Sequence, residues 1–513
     1  MAVQMLHETN NTSVRAGNRL AAAVVETLES RRLLASGDLG YAITFGQHDE
    51  MATGNAVATD AGGNTYVAGK FHGQIDADPT KRVQLLRGGG NDAAFIIKYG
   101  PTGKLVWAKR LYGVGDAQAM QLKAGPSGDI YVAGVFSDTV GFGGKNRELL
   151  KSNGKNDVFV MRMRSDGRLL WKGTMGGELD DGVNAMAIGP TGDVYLSGSI
   201  RMEGDIDPTA KGVFRVKARG VDDTFVVRLG GSDGHLVWQK VYGENDTREE
   251  ASGLAVDSSG GVFVCGNFIR TVQFDRDSAQ FDRESVRKAD VYLGHLSGSK
   301  GKNAKWDFLK TFGGTGEDLS AGLAMTPTGD LCMTGTFGDE VAFGPGARLT
   351  LNPIGEADAF IGKFTSEGDA VWVQQIGGGD ARVGGSALAV DSSGAVYATG
   401  SFDDTVVVNP GAGQVELPVD KSGDGRSPTS RIGSTDVYVV KYATNGVFAY
   451  AKQIGGHDAG IVSGAIDVDA AGNAYVTGNY NGTVDFDPGP GKLVRKTSDE
   501  RGESAAYLLK LLA

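Results

Sequence analysis

One eight-residue segment recurs along this chain and constrains its fold more than any other feature. At Asn64–Phe71 it reads N-T-Y-V-A-G-K-F. It returns as D-I-Y-V-A-G-V-F at Asp129–Phe136, D-V-Y-L-S-G-S-I at Asp193–Ile200 and G-V-F-V-C-G-N-F at Gly261–Phe268. Further copies stand at Asp330–Phe337, Ala395–Phe402 and Asn473–Tyr480. All seven copies keep one glycine: Gly69, Gly134, Gly198, Gly266, Gly335, Gly400 and Gly478. These glycines are 64 to 69 residues apart, except for a gap of 78 before the last. Repetition at a fixed period means one supersecondary unit stacked many times, each copy needing its neighbours to bury an apolar face.

Each unit reads as four strands. In the second, a small-residue strand at Ala119–Ala124 meets the turn Gly125–Gly128 and then the glycine-bearing strand Ile130–Phe136. A long loop follows, then Asp157–Met163, the turn Arg164–Gly167 and a strand around Trp171. Ser, Asp, Pro and Gly between apolar runs are hairpin chemistry. Every tryptophan falls on the fourth strand: Trp107, Trp171, Trp238, Trp306 and Trp372. Runs such as Phe95–Ile97 and Val437–Val440 are apolar on both alternating sets, so these strands are covered on both faces. Sheets stacked around an axis give that burial. The sequence therefore predicts an all-β fold, a seven-bladed β-propeller of four-stranded antiparallel blades. The last unit lacks a fourth strand of its own. Residues 40–46 (Y-A-I-T-F-G from Tyr41) are predicted to pair with 507–512 and close the ring, removing the exposed edges.

The repeat pattern, G-G-x-x-x-D, then A-x-A-x-D-x-x-G-x-x-Y-x-x-G-x-F, then D-A-F-x-x-K, resembles the SBBP-type β-propeller repeat of bacterial exported and surface proteins. The resemblance covers nearly all of residues 40–512, and Asp485–Gly491 (D-F-D-P-G-P-G) matches a loop segment of some members. It implies the propeller fold and an extracytoplasmic setting, without a fixed activity. Residues 1–37 carry no repeat and form a predicted leader, disordered or helical, ahead of a propeller domain at 38–513. Within the leader, Leu28–Leu34 (L-E-S-R-R-L-L) resembles the LEPR-XLL motif of large bacterial surface or exported proteins, with Ser30 where the motif has proline. The other reading of that segment is an amphipathic helix.

A formal net charge of −11 argues against a general nucleic-acid or anionic-membrane surface, which needs basic patches. No run of 18 apolar residues forms a transmembrane helix. Cys265 and Cys332 sit at different offsets from the common glycine, and are read as two small buried residues or as a disulfide. No Cys/His cluster suggests zinc.

Carboxylates are the conspicuous candidates for chemistry. Alternating strand direction sorts the long loops and interblade loops onto one face. There the interblade loops carry Asp49, Asp116, Asp181, Asp246, Asp318, Asp380 and Asp458, and the third strand opens with Asp157, Asp223, Asp290, Asp358 and Asp436. Such residues either fix turns by accepting backbone hydrogens or ring a hard cation, since Ca²⁺ takes six to eight oxygen ligands. The long loops add paired aspartates at Asp76 and Asp78, at Asp205 and Asp207, and at Asp485 and Asp487, each followed by proline. The longest interval contains an insertion at about 403–435 with Asp420–Gly425, D-K-S-G-D-G. Asp420, Ser422 and Asp424 match the opening of an EF-hand-type loop, but Arg431 stands where the bidentate glutamate belongs. The metal candidates are accordingly Asp420, Ser422, Asp424, Asp485, Asp487, Asp76 and Asp78, with Ca²⁺ as a possible stabilising ion and no required cofactor.

A basic position also repeats on the third strand: Lys98, Arg162, Arg228, His295, Lys363, Lys441 and Lys510, near tight turns that carry aspartate. Pairing with those turns is the structural reading; an anion-binding ring conflicts with the net charge. No positioned Ser–His–Asp set or nucleophile elbow stands out. The sequence therefore predicts a monomeric, non-catalytic, cell-surface or secreted module that binds a protein or glycan through its long-loop face. The alternative is a propeller glycoside hydrolase or polysaccharide lyase using axial carboxylates.

Overall fold

The computed structural model describes residues 36–513 except 47–50, 79–81, 143–147, 211, 246, 277, 299–302, 345–348, 410–412, 420–434, 457–458 and 498–503. The Leu28–Leu34 segment lies outside the described residues, as do Asp49, Asp246, Asp458, Asp420, Ser422 and Asp424.

The chain is all-β. Helical residues among those described are confined to 3-10 turns, one of them at Ala279–Phe281. In the second unit Ala117–Ala124 pairs antiparallel with Ile130–Phe142, which pairs with Glu148–Met163, which pairs with Leu169–Gly177. The same meander recurs along the chain. Its inner strands are Ala52–Thr59, Ala117–Ala124, Gly182–Ile188, Arg248–Val256, Leu319–Met325, Val383–Val390 and Gly460–Val468. Each packs beside the next, and Gly460–Val468 packs back against Ala52–Thr59. In the last unit the fourth place is taken by Leu39–Phe45, which pairs antiparallel with Ala505–Leu511 in the register Ala42 to Leu509. No hydrogen-bonded sheet closes on itself among the described residues; successive units pack inner strand beside inner strand, and some are also joined by hydrogen bonds between their outer strands.

That stacking explains the strands that are apolar on both sides. The second and third strands have sheet partners at both edges and neighbouring units over both faces. Val67, Ala68, Phe95, Ile96 and Ile97 are wholly buried. At ~25 cal/mol per Å² of apolar surface removed from water, such strands supply much of the folding free energy.

The shared glycine is required by a close approach. Each inner strand shifts register beside it, as at Ala251/Gly253 in the fourth unit. The shift drives an inner-strand carbonyl into the space where a side chain would begin. A Cβ on Gly266 would overlap the Glu250 carbonyl oxygen and the Tyr292 ring.

The third-strand basic residues do pair with tight-turn aspartates. Arg162 reaches Asp129 at 2.6 Å, Arg228 reaches Asp193 at 2.6 Å, Lys363 reaches Asp330 at 2.9 Å and His295 Nε2 reaches Asp257 at 2.9 Å. Arg162 Nη1 also donates to the Gly231 carbonyl of the next unit, which takes the Trp171 indole N–H at 2.9 Å as well. Cys265 and Cys332 are free, buried thiols. Burial pushes them up to about 11 and about 12.

The long loops differ from the irregular loops that the sequence suggested. Most continue as hairpins: Gln74–Asp76 with Leu85–Arg87, Val140–Phe142 with the stretch starting at Glu148, Val406–Val408 with Val415–Leu417, and Thr483–Asp485 with Val494–Lys496. Some also pair with the last strand of the preceding unit, as Ile376 does with Val408. Buried backbone groups need partners, and inward residues such as Ile75, Val140, Val406 and Val484 are wholly buried. Part of the insertion in the sixth unit is therefore built into the core.

Candidate ligand cleft on the long-loop face

The paired aspartates of the long loops stand where these hairpins end, and each builds its own turn. Asp485 Oδ1 accepts the backbone N–H of Asp487 at 3.1 Å and of Leu493 at 2.8 Å. Asp205 Oδ1 accepts from Asp207 and Phe214, and Asp76 Oδ1 from Asp78 and Gln84, in the same geometry. The second aspartate continues the turn: Asp487 Oδ1 accepts from Gly489 N at 2.9 Å, and Asp207 Oδ1 from Thr209 N at 3.2 Å. A short side chain that accepts a hydrogen from two residues on is the Asx-turn device, and a following proline fixes the next φ. The three pairs lie in separate hairpins and do not converge on one another.

One pair borders a cavity. Between the sixth and last units lies an open cleft of about 310 Å³, lined by Asp436, Gln453, Asp485, Asp487, Pro418 and Pro488 among others. Its floor is fixed by backbone: Asp485 N donates to Gly455 O at 2.8 Å. Gln453 Nε2 donates to Asp436 and to the Pro418 carbonyl at 2.7 Å. Three carboxylates thus line one cleft. They are not clustered as metal ligands, since no group of three His, Cys, Asp or Glu suited to a metal ion occurs among the described residues.

The third-strand aspartates are buried, with Asp157 and Asp358 at 0% exposure. Each accepts a backbone N–H from four residues earlier, Asn153 to Asp157 at 2.8 Å and Ile354 to Asp358 at 2.7 Å. They lie against the first glycine of the pair that ends the fourth strand. Gly176 has φ +149°, and its Cβ position would be 2.5 Å from Asp157 Oδ1. Gly377 meets Asp358 and Gly455 meets Asp436 in the same way. The interblade aspartates bridge loops: Asp181 accepts from Gly177 N at 2.6 Å and Arg201 N at 2.7 Å, and Asp318 from Gly314 N at 2.8 Å and Gly338 N at 3.3 Å. Asp380 is exposed. Burial pushes Asp157 up to about 7, Asp181 to about 6 and Asp290 to about 6.

A second cavity, about 130 Å³, runs among the inner strands. Asn55, Gln121, Lys123, Asn184, Ser252 and Ser386 supply its polar lining, and no carboxylate or histidine is among the residues that line it. Asn55 and Gln121 turn their amides onto neighbouring inner strands, to Ala119 O and Asn184 O. His295 is held on both ring nitrogens, by Asp257 and by Asp307 at 2.7 Å.

Sequence reasoning missed the cleft wall. Gln453 and its counterpart Gln375, each two residues before a Gly-Gly pair, were visible as a shared pattern. Their meaning depends on the aspartate that the fold brings beside them.

A family model described as the SBBP β-propeller repeat matches residues 371–401, from the fourth strand of the fifth unit through the second strand of the sixth. The regulatory protein FlaEY of Caulobacter vibrioides is 26% identical over 141 residues, which is 27% of this chain and 15% of that protein. The match therefore spans a small part of that relative's length. Among solved structures, a catalytically inactive virginiamycin B lyase from Staphylococcus aureus with quinupristin aligns with 91% of this chain and 99% of its own, at 9% identity and TM-score 0.39. An ulvan lyase of polysaccharide lyase family 25 aligns with 86% of this chain and 93% of its own, at 12% identity and TM-score 0.41. At such scores neither likeness bears on activity.

Proposed function

We propose that this chain is a seven-bladed β-propeller, closed by Leu39–Phe45, that works as a non-catalytic binding or scaffold module outside the cytoplasm. The observation that carries this reading is the arrangement of the inner strands, each beside the next and the last beside the first. The end-to-end pairing of Leu39–Phe45 with Ala505–Leu511 supports the closure. The repeat match at 371–401 agrees with it.

In this reading the long-loop face makes the contact, with a protein or glycan of the cell surface as partner. The open cleft bordered by Asp436, Asp485 and Asp487 is its ligand-sized depression. Calcium in this reading binds at the edge formed by Asp485 and Asp487, where two carboxylates already held by backbone hydrogens leave further lone pairs for a hard cation. No helix among the described residues is long and apolar enough to cross a membrane.

Three measurements test this. Deleting residues 36–46 is expected to expose the edge of Ala505–Leu511 and cause aggregation; an unchanged monomer would refute ring closure. Thermal melting with calcium and then with chelator is expected to differ in the native chain and not in Asp485→Asn; identical curves would remove calcium. A glycan array and a cell-surface protein panel are expected to give binding lost in Asp487→Arg, whereas turnover of any glycan would replace the scaffold reading with an enzyme.

A further inference from the structure

The third-strand aspartates hold one position in several units but are served differently. In the fifth and sixth units a glutamine amide donates to them, Gln375 to Asp358 and Gln453 to Asp436. The register places Thr174 in the second unit and Thr311 in the fourth where these glutamines stand: Phe159 faces Thr174 and Tyr292 faces Thr311, as Phe360 faces Gln375. No threonine hydrogen bond to the aspartate stands in their place. Gln375 shares one Asp358 oxygen with the Ile354 N–H, and the other oxygen takes the Gly355 N–H at 3.3 Å. Asp157 Oδ1 and Asp290 Oδ1 are buried with no hydrogen-bond partner.

The charge of a second carboxylate acts on each of them, Asp181 on Asp157 and Asp318 on Asp290. Asp157 Oδ1 and Asp181 Oδ2 lie 2.5 and 2.8 Å from the point where a Gly176 Cβ would stand. Asp181 is fixed there by the backbone of Gly177 and Arg201. The fourth unit repeats the plan two boundaries further on: Asp290 lies against Gly313, and Asp318 takes the N–H of Gly314. Asp157, Asp181, Asp290 and Asp318 are 0, 3, 4 and 1% exposed. Among the described residues no lysine, arginine or histidine forms an ion pair with any of the four.

Charges of both signs stand near the pairs, without an ion pair to any of the four. Beside Asp181 stand Asp180, which is paired with Lys155 at 3.6 Å, and Arg201. Beside Asp318 stand Glu317 and Asp339, with Lys288 near Asp339. The boundary between these two is different. There Glu249 neighbours Asp223, but Arg276 pairs with Asp223 and supplies a cation.

We propose that the Asp157–Asp181 and Asp290–Asp318 pairs each hold one shared proton, and that releasing it loosens the long-loop face at these two unit boundaries. The third-strand carboxyl donates O–H toward its neighbour, which remains a carboxylate; release passes that proton to water and leaves two adjacent anions. An acceptor with no donor in reach, set beside another carboxylate in a desolvated site, is stable only as the neutral acid. Burial, then the neighbouring aspartate, raises Asp157 and Asp290 above the ordinary carboxylate range. A folded-state pKa above the unfolded value means stability that is complete below the unfolded value, near 4, and is lost as pH rises through about 6 to 7.

The test is a ¹³C NMR titration of carboxyl-labelled aspartates in the full chain. Resonances with midpoints above pH 5.5 are expected, one lost in Asp157→Asn and another in Asp290→Asn. Absence of any aspartate titrating above pH 5 would overturn the shared protons. Amide exchange in the native chain serves if either variant fails to fold. Corrected for intrinsic rates, segments 176–182 and 313–318 should exchange roughly threefold or more faster at pH 8 than at pH 5, and segment 377–383 should not. Equal behaviour of all three would overturn the loosening. A calcium-induced melting shift at pH 8 that Asp157→Asn abolishes would make the boundary a cation site and overturn the proton reading.

Discussion

Asp157 and Asp358 begin the third strands of two units, equally buried, each taking a backbone N–H from four residues before and each lying against the glycine that ends its fourth strand. They differ in their neighbours. Asp358 meets the amide of Gln375 on one oxygen and the Gly355 N–H on the other, whereas Asp157 has an oxygen with no donor and lies near Asp181. The strand pairing is the same in both places. The donors and carboxylates around it decide whether the site suits an anion or a proton. A repeat fold can therefore carry a local electrostatic difference without any change in its strands.

The comparison can be broken in several ways, and the largest effect comes from attacking what all units share. Gly266→Val forces a side chain against the Glu250 carbonyl and the Tyr292 ring. It is expected to cost more than ~3 kcal/mol at any pH, read by urea unfolding. A pH-dependent loss would show that the glycine position is coupled to the carboxylates.

Next in size is Gln375→Glu, which sets a second carboxyl beside Asp358 in place of an amide donor. Two carboxyls would then share the site at Asp358, so about 3 kcal/mol of stability should be lost at pH 8. Most of it should return at pH 5, where one of them is protonated. An equal loss at both pH values would mean that lost packing dominates.

The reciprocal change sharpens the point. Thr311→Gln places an amide where its counterpart serves Asp358. It should add about 1 kcal/mol at pH 8 and flatten the pH dependence contributed by Asp290. No change in the pH profile would mean that the amide does not reach the Asp290 carboxyl.

The smallest effect serves as the control. Trp171→Phe removes the indole N–H bond to Gly231 O on the tight-turn face. About 1 kcal/mol should be lost, with no pH dependence in the range where Asp157 titrates.

Much of the fold was legible in the sequence. The period, the glycine and the runs apolar on both faces required stacked four-stranded sheets, and Y-A-I-T-F-G at the start matched the strand missing from the last unit. The pairing of third-strand basic residues with tight-turn aspartates was readable because both repeat in step. The long loops were not. Their hairpins rest on short apolar pairs such as Val406–Val408, too brief to announce a strand without the neighbouring edge that they join. Of the candidate metal residues, Asp485 and Asp487 border a cleft, Asp76 and Asp78 form a turn of their own, and Asp420, Ser422 and Asp424 lie outside the described residues.

What the sequence by itself determined is the repeating scaffold, because hydrophobic period, turn residues and a required glycine are local and repeat in every copy. What only the tertiary structure decided is the partner of each buried aspartate. Asp157 and Asp181 are joined across the end of one unit and the start of the next, and Gln375 reaches Asp358 across paired strands. Desolvation and hydrogen bonding depend on that neighbourhood, so identical letters acquire different chemistry only once the units are stacked.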